Sequence, residues 1–517
     1  MLVIKSLLKP SEYHDSVSLM LAARELSKLE GIRDAAVVMA TEANKSILAE
    51  AGLLTEEAGP ATPNDLLIAV SAETEALADS ALQKVETLLK KKAAAAETGA
   101  FRPKTLRGAL ASHPEANVAV ISVAGRYAAD EAWEALERGL HVLLFSDNVS
   151  LEDEIALKTY ARDHGLLLMG PGAGTAILNG VALGFANVLP PGPVGIVSAA
   201  GTGLQQVSTL LARRGVGITQ GLGTGGRDLK KEVGGIMMLE GLKALQSDPA
   251  TQVLVLVSKP PAEAVVQAIL RQVAASPKPT VICFLGGDLS VLANLPNVIP
   301  ARTLDECAWL AAQAANPQIG DLQMFFVAEN ARLAGQAAAL KPKLNPSQRY
   351  LRGLFSGGTL CYEAQVIWKE MLTAPVYSNA PLPGGPALAD STKSQGYTAV
   401  DLGEEEFTVG RPHPMIDNDL RIRRLIQEAR DPEVAVILLD VVIGYGAHPD
   451  PAGELAPAIR QARQLLEREL HVVASVTGTE EDPQRLSGQI AALEAAGVLV
   501  CESNAAAAQL AARLVEG

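Results

Sequence analysis

GPVGIVSAAGTGLQQVSTLLARRG, residues 192–215, carries the reading of the fold. A short apolar strand runs into Ser198, two alanines turn the chain, and Gly201-Thr202-Gly203 opens a helix. Glycines let such a turn fold tightly and leave backbone N–H groups at a helix start, where the potential favours an anion. RGLFSGGTLCYEAQVIWKEML, residues 352–372, repeats the pattern with Ser356-Gly357-Gly358-Thr359. Neither turn ends in the Gly-Lys-Ser/Thr of a nucleotide P-loop. Each therefore reads either as a phosphate or carboxylate cradle or as a ligand-free turn capped by its own serine.

The similarity extends beyond the two turns. EVGGIMM from Glu232 and TVGRPHPMID from Thr408 each place a Val-Gly turn before a helix. Asp248-Pro249 and Asp431-Pro432 each precede a strand, and TVICFLGG from Thr280 answers HVVASVTG from His471. Common order and spacing point to a duplicated fold. Upstream, VAVISVAG (118–125), HVLLFSDNV (141–149) and LLLMGPGAGT (166–175) alternate with helical stretches. That series predicts a parallel sheet covered by helices. Ser150 before Leu-Glu-Asp-Glu predicts a helix cap with acidic first-turn residues. Residues 1–90 read as a separate small α/β unit, with strands at 3–8, 34–39 and 67–70 and helices at 16–29, from about Asn44, and at 72–89. The stretch 91–104 is expected to be a linker, although its lysines equally suit a frayed helix end. Residues 316–350 carry few signals and read as a connection.

Bulk properties narrow the function. The formal net charge of −14 argues against nucleic acid as the main partner. No apolar run reaches the roughly 20 residues a membrane-spanning helix needs, and the N-terminal stretch lacks a signal-peptide core, so a cytoplasmic protein is expected. Cys283, Cys307, Cys361 and Cys501 form no Cys-x-x-Cys pair and read as reduced thiols; no metal site is expected.

Several residues are candidates for chemistry. Ser198, Gly201, Thr202, Gly203, Ser356, Gly357, Gly358 and Thr359 belong to the two turns. The loop 221–235, GLGTGGRDLKKEVGG, adds Gly225, Gly226 and Arg227, whose guanidinium suits a two-point grip on phosphate or carboxylate, unless the loop is merely flexible surface. Its counterpart supplies Arg411 and His413, with Asp417 following, as an anion-binding and acid–base set; a structural His413 is the alternative. Gly125, Arg126, Gly170, Thr477 and Gly478 lie in further strand-end turns, where open parallel sheets bind ligands. If the duplicated halves meet about a pseudo-twofold, the Ser198 and Ser356 turns share one anion site.

DSVSLM (15–20), SVAGRYAA (122–129), FSDNVSLEDEI (145–155), SKPPAEAV (258–265), VGRPHPMID (409–417), LLDVVIGYGA (438–447) and VTGTEEDPQ (476–484) together resemble the FdrA family, acyl-CoA-synthetase-like relatives of the succinyl-CoA synthetase (NDP-forming) superfamily. The resemblance implies a Rossmann-like CoA-binding-type domain at 105–190. It implies two flavodoxin-like ligase-type domains at 191–315 and 351–517, joined by 316–350 and preceded by the small unit. The Ser198 and Ser356 turns resemble the Ser-Gly-Thr loop of the ligase alpha subunit. The superfamily's phosphohistidine loop has no counterpart, because no histidine lies between His164 and His413. An ATP-grasp module is missing too.

Some members of the family are linked to purine and allantoin breakdown as an oxamate carbamoyltransferase subunit. That reaction exchanges oxalurate and phosphate for oxamate and carbamoyl phosphate. The favoured expectation is such a phosphate-dependent carbamoyl or acyl transferase subunit. The alternatives are an acyl-CoA synthetase of the succinyl-CoA ligase type, and a noncatalytic scaffold. Expected ligands are phosphate as substrate, with CoA or nucleotide as further possibilities. A homo-oligomer, partner subunits, or both are expected.

Overall fold

A computed structural model describes the chain except residues 1, 11, 13–15, 42–43, 46–47, 50–51, 64, 96–102, 104, 293–294, 409–411, 465–467 and 517. It divides into two units. One comprises Met1–Pro114 with Glu404–His413, the other Glu115–Gly403 with Pro414–Gly517.

In the first unit, β1 (Val3–Lys9), β2 (Ile32–Met39) and β3 (Leu66–Ala72) form an antiparallel sheet in the order β1-β3-β2. All of β3 is buried, and its side chains alternate between two cores, as the two-residue period of a strand requires. Leu66, Ile68 and Val70 pack with Leu19, Leu26 and Val85. Leu67 and Ala69 face Leu48 and Leu53. The helix Glu75–Ala95 runs through the lysines at 90–92, so much of the expected linker before residue 96 is helix. The helix expected from about Asn44 falls largely outside the described residues.

The second unit opens with β4 (Val118–Ile121), β5 (His141–Leu144) and β6 (Leu168–Met169), parallel and in that order. The helix Leu151–Asp163 begins as the sequence predicts, with Ser150 Oγ accepting the Asp153 amide at 3.0 Å. Strands β7 (Thr175–Leu178) and β8 (Val181–Gly184) form a hairpin that hydrogen-bonds to β10 (Ile218–Gly223), and Pro191 starts β9 (Pro191–Ser198). Proline is tolerated at a strand's first residue, so Pro191 can open β9.

With β11 (Val253–Ser258), β12 (Thr280–Phe284) and β13 (Val298–Pro300), these make a seven-stranded sheet ordered β13-β12-β11-β9-β10-β7-β8. The C-terminal sheet runs β15 (Val376–Ser378), β16 (Tyr397–Asp401), β14 (Tyr350–Phe355), β17 (Val434–Val442), β18 (His471–Thr477) and β19 (Leu499–Cys501), all parallel. The run β10-β9-β11-β12-β13 and the run β16-β14-β17-β18-β19 have the same order, so the two halves repeat one fold. Every residue of β17 is buried, which explains its nearly unbroken apolar run. One core joins both halves, with Val194, Leu204 and Leu210 packed in the same cluster as Leu351, Trp368 and Ala508. Between the halves, the sequence's featureless connection contains the helix Leu322–Leu340, of which only Leu333 and Ala337 are buried.

Candidate functional site

Both glycine turns stand at strand ends in the second unit, at β9 and β14. The Ser198 side chain is buried and locks its own turn. Its Oγ donates to the Ala200 carbonyl at 2.7 Å and accepts the Ala200 amide at 3.1 Å. The helix Gly201–Arg213 follows, and its first backbone bond runs from Leu204 N–H to Ala200 O. The amides of Gly201, Thr202 and Gly203 therefore precede the helix's own ladder, as first-turn donors do.

The helix Gly358–Met371 starts against this one. A Cβ on Gly357 would lie 2.8 Å from Thr202 Cγ2, and a Cβ on Gly203 would lie 3.1 Å from Thr359 Cγ2. The contact is reciprocal, each half's threonine lying against the other half's glycine. The two turns thus meet, as a pseudo-twofold arrangement of the repeats requires.

The two turns nevertheless differ. Ser356 N–H and Gly357 N–H donate to the Asp440 carboxylate at 2.7 and 2.9 Å, and Ser356 Oγ lies 2.9 Å from the same group. Arg421 holds that carboxylate from the other side, Nη1 to Oδ1 3.0 Å. Asp401 Oδ2 would stand 2.6 Å from a Cβ on Gly358. The expectation that Ser356 and Gly357 present their amides to an external anion is corrected: an internal carboxylate occupies them. The sequence carried a signal for this, a lone aspartate inside the apolar strand VAVILLDVV. Burial, and then the charge of Asp401, hold the nearby Cys361 thiol well above its ordinary value, while Lys259 acts in the opposite sense.

Arg227 is likewise committed inside the chain. Its Nε lies 2.8 Å from Glu154 Oε2, and its Nη2 donates to the Val149 carbonyl at 2.7 Å. Glu154 is fully buried, and so is Lys158, whose Nζ reaches Glu154 Oε1 and Asp228 Oδ1, both at 2.8 Å. Asp228 also accepts the Met237 and Met238 amides, at 3.2 and 2.8 Å, at the start of the next helix. The expected clamp on a ligand is instead the outer member of a buried charge cluster with two cations and two carboxylates.

The additional strand-end candidates serve packing. The Thr477 hydroxyl donates to Gln206 Oε1, and the Gly478 carbonyl accepts Arg213 Nε at 3.1 Å. Backbone carbonyls would meet a Cβ on Gly125 or Gly170 at 2.2 Å, from Asp147 and Leu144, and on Gly225 at 2.4 Å, from Pro171. Gly201 and Gly226 keep an open face, with nearest atoms at 3.6 and 4.0 Å. The Arg126 guanidinium stacks on Tyr127. Arg411 lies outside the described residues. His413 belongs to the first unit and Asp417 to the second, where Asp417 Oδ1 accepts the Asp419 amide at 2.8 Å.

Sequence reasoning missed a second buried carboxylate near the crossing, Glu363. It accepts the Leu304 amide at 2.7 Å and Asn504 Nδ2 at 2.8 Å, and burial pushes it up to about 7. All four cysteines are buried free thiols. No helix among the described residues is long and apolar enough to cross a membrane.

Comparison with known proteins places this geometry in a family. Residues 354–514 match the CoA-ligase domain family, and residues 191–286 match the CoA binding domain family. The latter spans β9 to β12 of the seven-stranded sheet, whereas the sequence reading put the CoA-binding-type domain at 105–190. Residues 1–104 match a family described as "AllF, heavy metal-associated domain". Over 505 residues, 97% of this chain and 96% of the relative, the chain is 43% identical to the uncharacterized protein YahF of Escherichia coli K12. The chain belongs to the FdrA-like family of the CoA-ligase superfamily.

More distant similarity of this FdrA-like chain runs to a succinate–CoA ligase [ADP-forming] subunit alpha 2 of Archaeoglobus fulgidus, 31% identical over 28% of the chain and 50% of the relative. It also runs to a malate–CoA ligase subunit alpha of Methylorubrum extorquens, 27% identical over 33% and 59%. The chain thus spans about half the length of these ligase subunits. The structure of PH0766 from Pyrococcus horikoshii OT3 aligns over 81% of this chain and 87% of that one, at 15% identity and a TM-score of 0.34. A heavy metal does not fit the first unit of the FdrA-like chain. Soft metals favour thiolates, and residues 1–104 contain no cysteine. Among the described residues, no group of three potential ligands occurs.

Proposed function

We propose that the chain is an acyl-CoA-synthetase-type enzyme that holds an oxyanion, phosphate or the phosphoryl group of an acyl phosphate, where the helices Gly201–Arg213 and Gly358–Met371 meet. The observation that carries this reading is the reciprocal contact of Thr202 with Gly357 and Thr359 with Gly203. Two helix starts directed at one place add their first-turn amides and roughly half a positive charge each. Donors fixed in this way stabilise charge that develops during group transfer without having to reorganise. The match of 191–286 to the CoA binding domain family supports CoA as the acyl acceptor.

Calorimetry on the purified chain, with inorganic phosphate and CoA as separate probes, tests the reading. Both are expected to bind. Thr202→Asp, which sets a carboxylate between the helix starts, is expected to abolish phosphate binding while leaving CoA binding in place. A wild-type chain that binds neither probe overturns the proposal.

One observation favours a second reading, phosphate-dependent carbamoyl transfer between oxalurate and carbamoyl phosphate. The segment 191–286 contains no histidine that could carry a phosphoryl group between sites. Direct attack of phosphate on the carbamoyl carbon of oxalurate, releasing oxamate, needs an oxyanion cradle and no relay. Phosphate-dependent oxalurate cleavage, assayed with the products of neighbouring genes added, decides between the two.

A further inference from the structure

SKPPAEAV, residues 258–265, is a motif of the sequence that the site as described leaves unused. It leaves the end of β11, which is docked on the first turn of the helix Gly201–Arg213. The Val257 carbonyl accepts the Ala199 amide at 3.0 Å, and Val257 Cγ1 would stand 3.0 Å from a Cβ on Gly203. Two residues further on, the Lys259 Nζ lies 5.2 Å from the centre of the Tyr362 ring, near the beginning of the helix Gly358–Met371. Lys259 therefore bridges from a strand end of one half to the helix start of the other. Pro260 and Pro261 fix the backbone φ directly after it.

Two further observations point to a ligand beside this cation. Thr202 and Thr359 are only 7% and 5% exposed, and neither hydroxyl is taken by a hydrogen bond among the described residues, so both are available to a ligand. Lys259 itself is exposed and forms no ion pair among the described residues, so its ammonium is available to a ligand at the helix start that Asp401 and Asp440 flank. Asp440 is already paired with Arg421, and an oxyanion at this helix start gains further from a cation beside it.

We propose that Lys259 is that cation: its ammonium closes over an oxyanion held by the first-turn amides and the hydroxyls of Thr202 and Thr359, and it makes the site selective for a phosphoryl or carboxylate group. The inference rests on the oxyanion reading of the preceding subsection and adds the residue that neutralises the ligand. Lysine supplies a compact point charge on a flexible stem, which suits a ligand that must arrive and leave.

The test is calorimetry on the full chain with inorganic phosphate and, separately, acetate, comparing the wild type with Lys259→Met and Lys259→Arg. Methionine keeps the apolar stem against Tyr362 and removes the charge. The Kd for the bound probe is expected to rise about tenfold or more in Lys259→Met and to return to within about threefold of wild type in Lys259→Arg. The thermal midpoint is expected to stay unchanged in both. Binding of phosphate alone assigns the phosphoryl group, and binding of acetate alone the carboxylate; either supports the proposal if the lysine dependence holds. A wild-type chain that binds a probe, with Lys259→Met binding it equally well, overturns this inference and leaves the oxyanion site standing. A wild-type chain that binds neither overturns both.

Discussion

Arg421 and Asp440 form a buried ion pair in which Arg421 Nη1 lies 3.0 Å from Asp440 Oδ1 and Nη2 donates to the carbonyl of the same aspartate at 2.6 Å. Burial pulls the Arg421 guanidinium below its ordinary value, and the Asp440 carboxylate acts in the opposite sense. Asp440→Asn keeps the shape and leaves that charge uncompensated. Urea unfolding is expected to show a loss of about 3–5 kcal/mol. The double replacement Arg421→Met with Asp440→Leu is expected to cost less than the sum of its single changes, because it leaves no lone buried charge.

Glu363 gives the stability of the second unit a pH dependence of defined sign. Its carboxyl is pushed up from 4.5 to about 7 by burial. The folded chain therefore keeps a proton that the unfolded chain releases between those values. This contribution is fully present below about pH 4.5 and is lost as pH rises through 7. Compared with Glu363→Gln, the wild type is expected to lose about 3 kcal/mol across that window. A stability difference between the two that does not change from pH 5 to 8 contradicts the assignment.

The contact between the helix starts leaves no room for a methyl group. Gly357→Ala places a Cβ 2.8 Å from Thr202 Cγ2. Overpacking of this kind is expected to cost about 1–3 kcal/mol. Combining it with Thr202→Ala is expected to recover part of the loss, and a double-mutant cycle by chemical denaturation measures the coupling. Strict additivity would mean that the two residues do not touch.

Arg227 and Lys158 separate a structural charge cluster from a ligand clamp. Lys158 is fully buried between Glu154 and Asp228. Lys158→Met strands two carboxylates and is expected to cost about 3–5 kcal/mol. Arg227→Ala is expected to lower the thermal midpoint while leaving the phosphate affinity of a folded sample unchanged. A stable variant with weakened phosphate binding would restore the clamp reading.

The four thiols are buried, and burial pushes Cys501 up to about 12. A native sample is therefore expected to be inert to a thiol-specific disulfide reagent at neutral pH and to release four equivalents on unfolding.

Strand–turn–helix punctuation made the repeat legible in sequence, because buried parallel strands read as short apolar runs ending in glycine or serine. The meeting of the Ser198 and Ser356 turns followed from the duplication. Other features were hidden for identifiable reasons. Arg227 looks free in sequence because its partner, Glu154, lies 73 positions earlier, where it reads as an ordinary first-turn acid of a surface helix. Asp440 and Ser356 are likewise joined only by the adjacency of β14 and β17. The hairpin of β7 and β8 joins the sheet of the segment after 190, a pairing that sequence order alone does not show. The helix Leu322–Leu340 shows no amphipathic stripe, since most of its small apolar residues stay exposed.

The core shared by both halves gives the direction of synthesis a consequence. Val194, Leu204 and Leu210 pack in the same cluster as Ala508, at the far end of the chain. At roughly 5–20 residues per second, the ribosome needs on the order of 15–60 s to supply the last wall of that core. For that interval the first half presents an unfinished apolar face on the nascent chain. A holdase that binds ribosome-bound chains is expected to be recruited after β13 emerges and released once the helix Asn504–Val515 has left the exit tunnel.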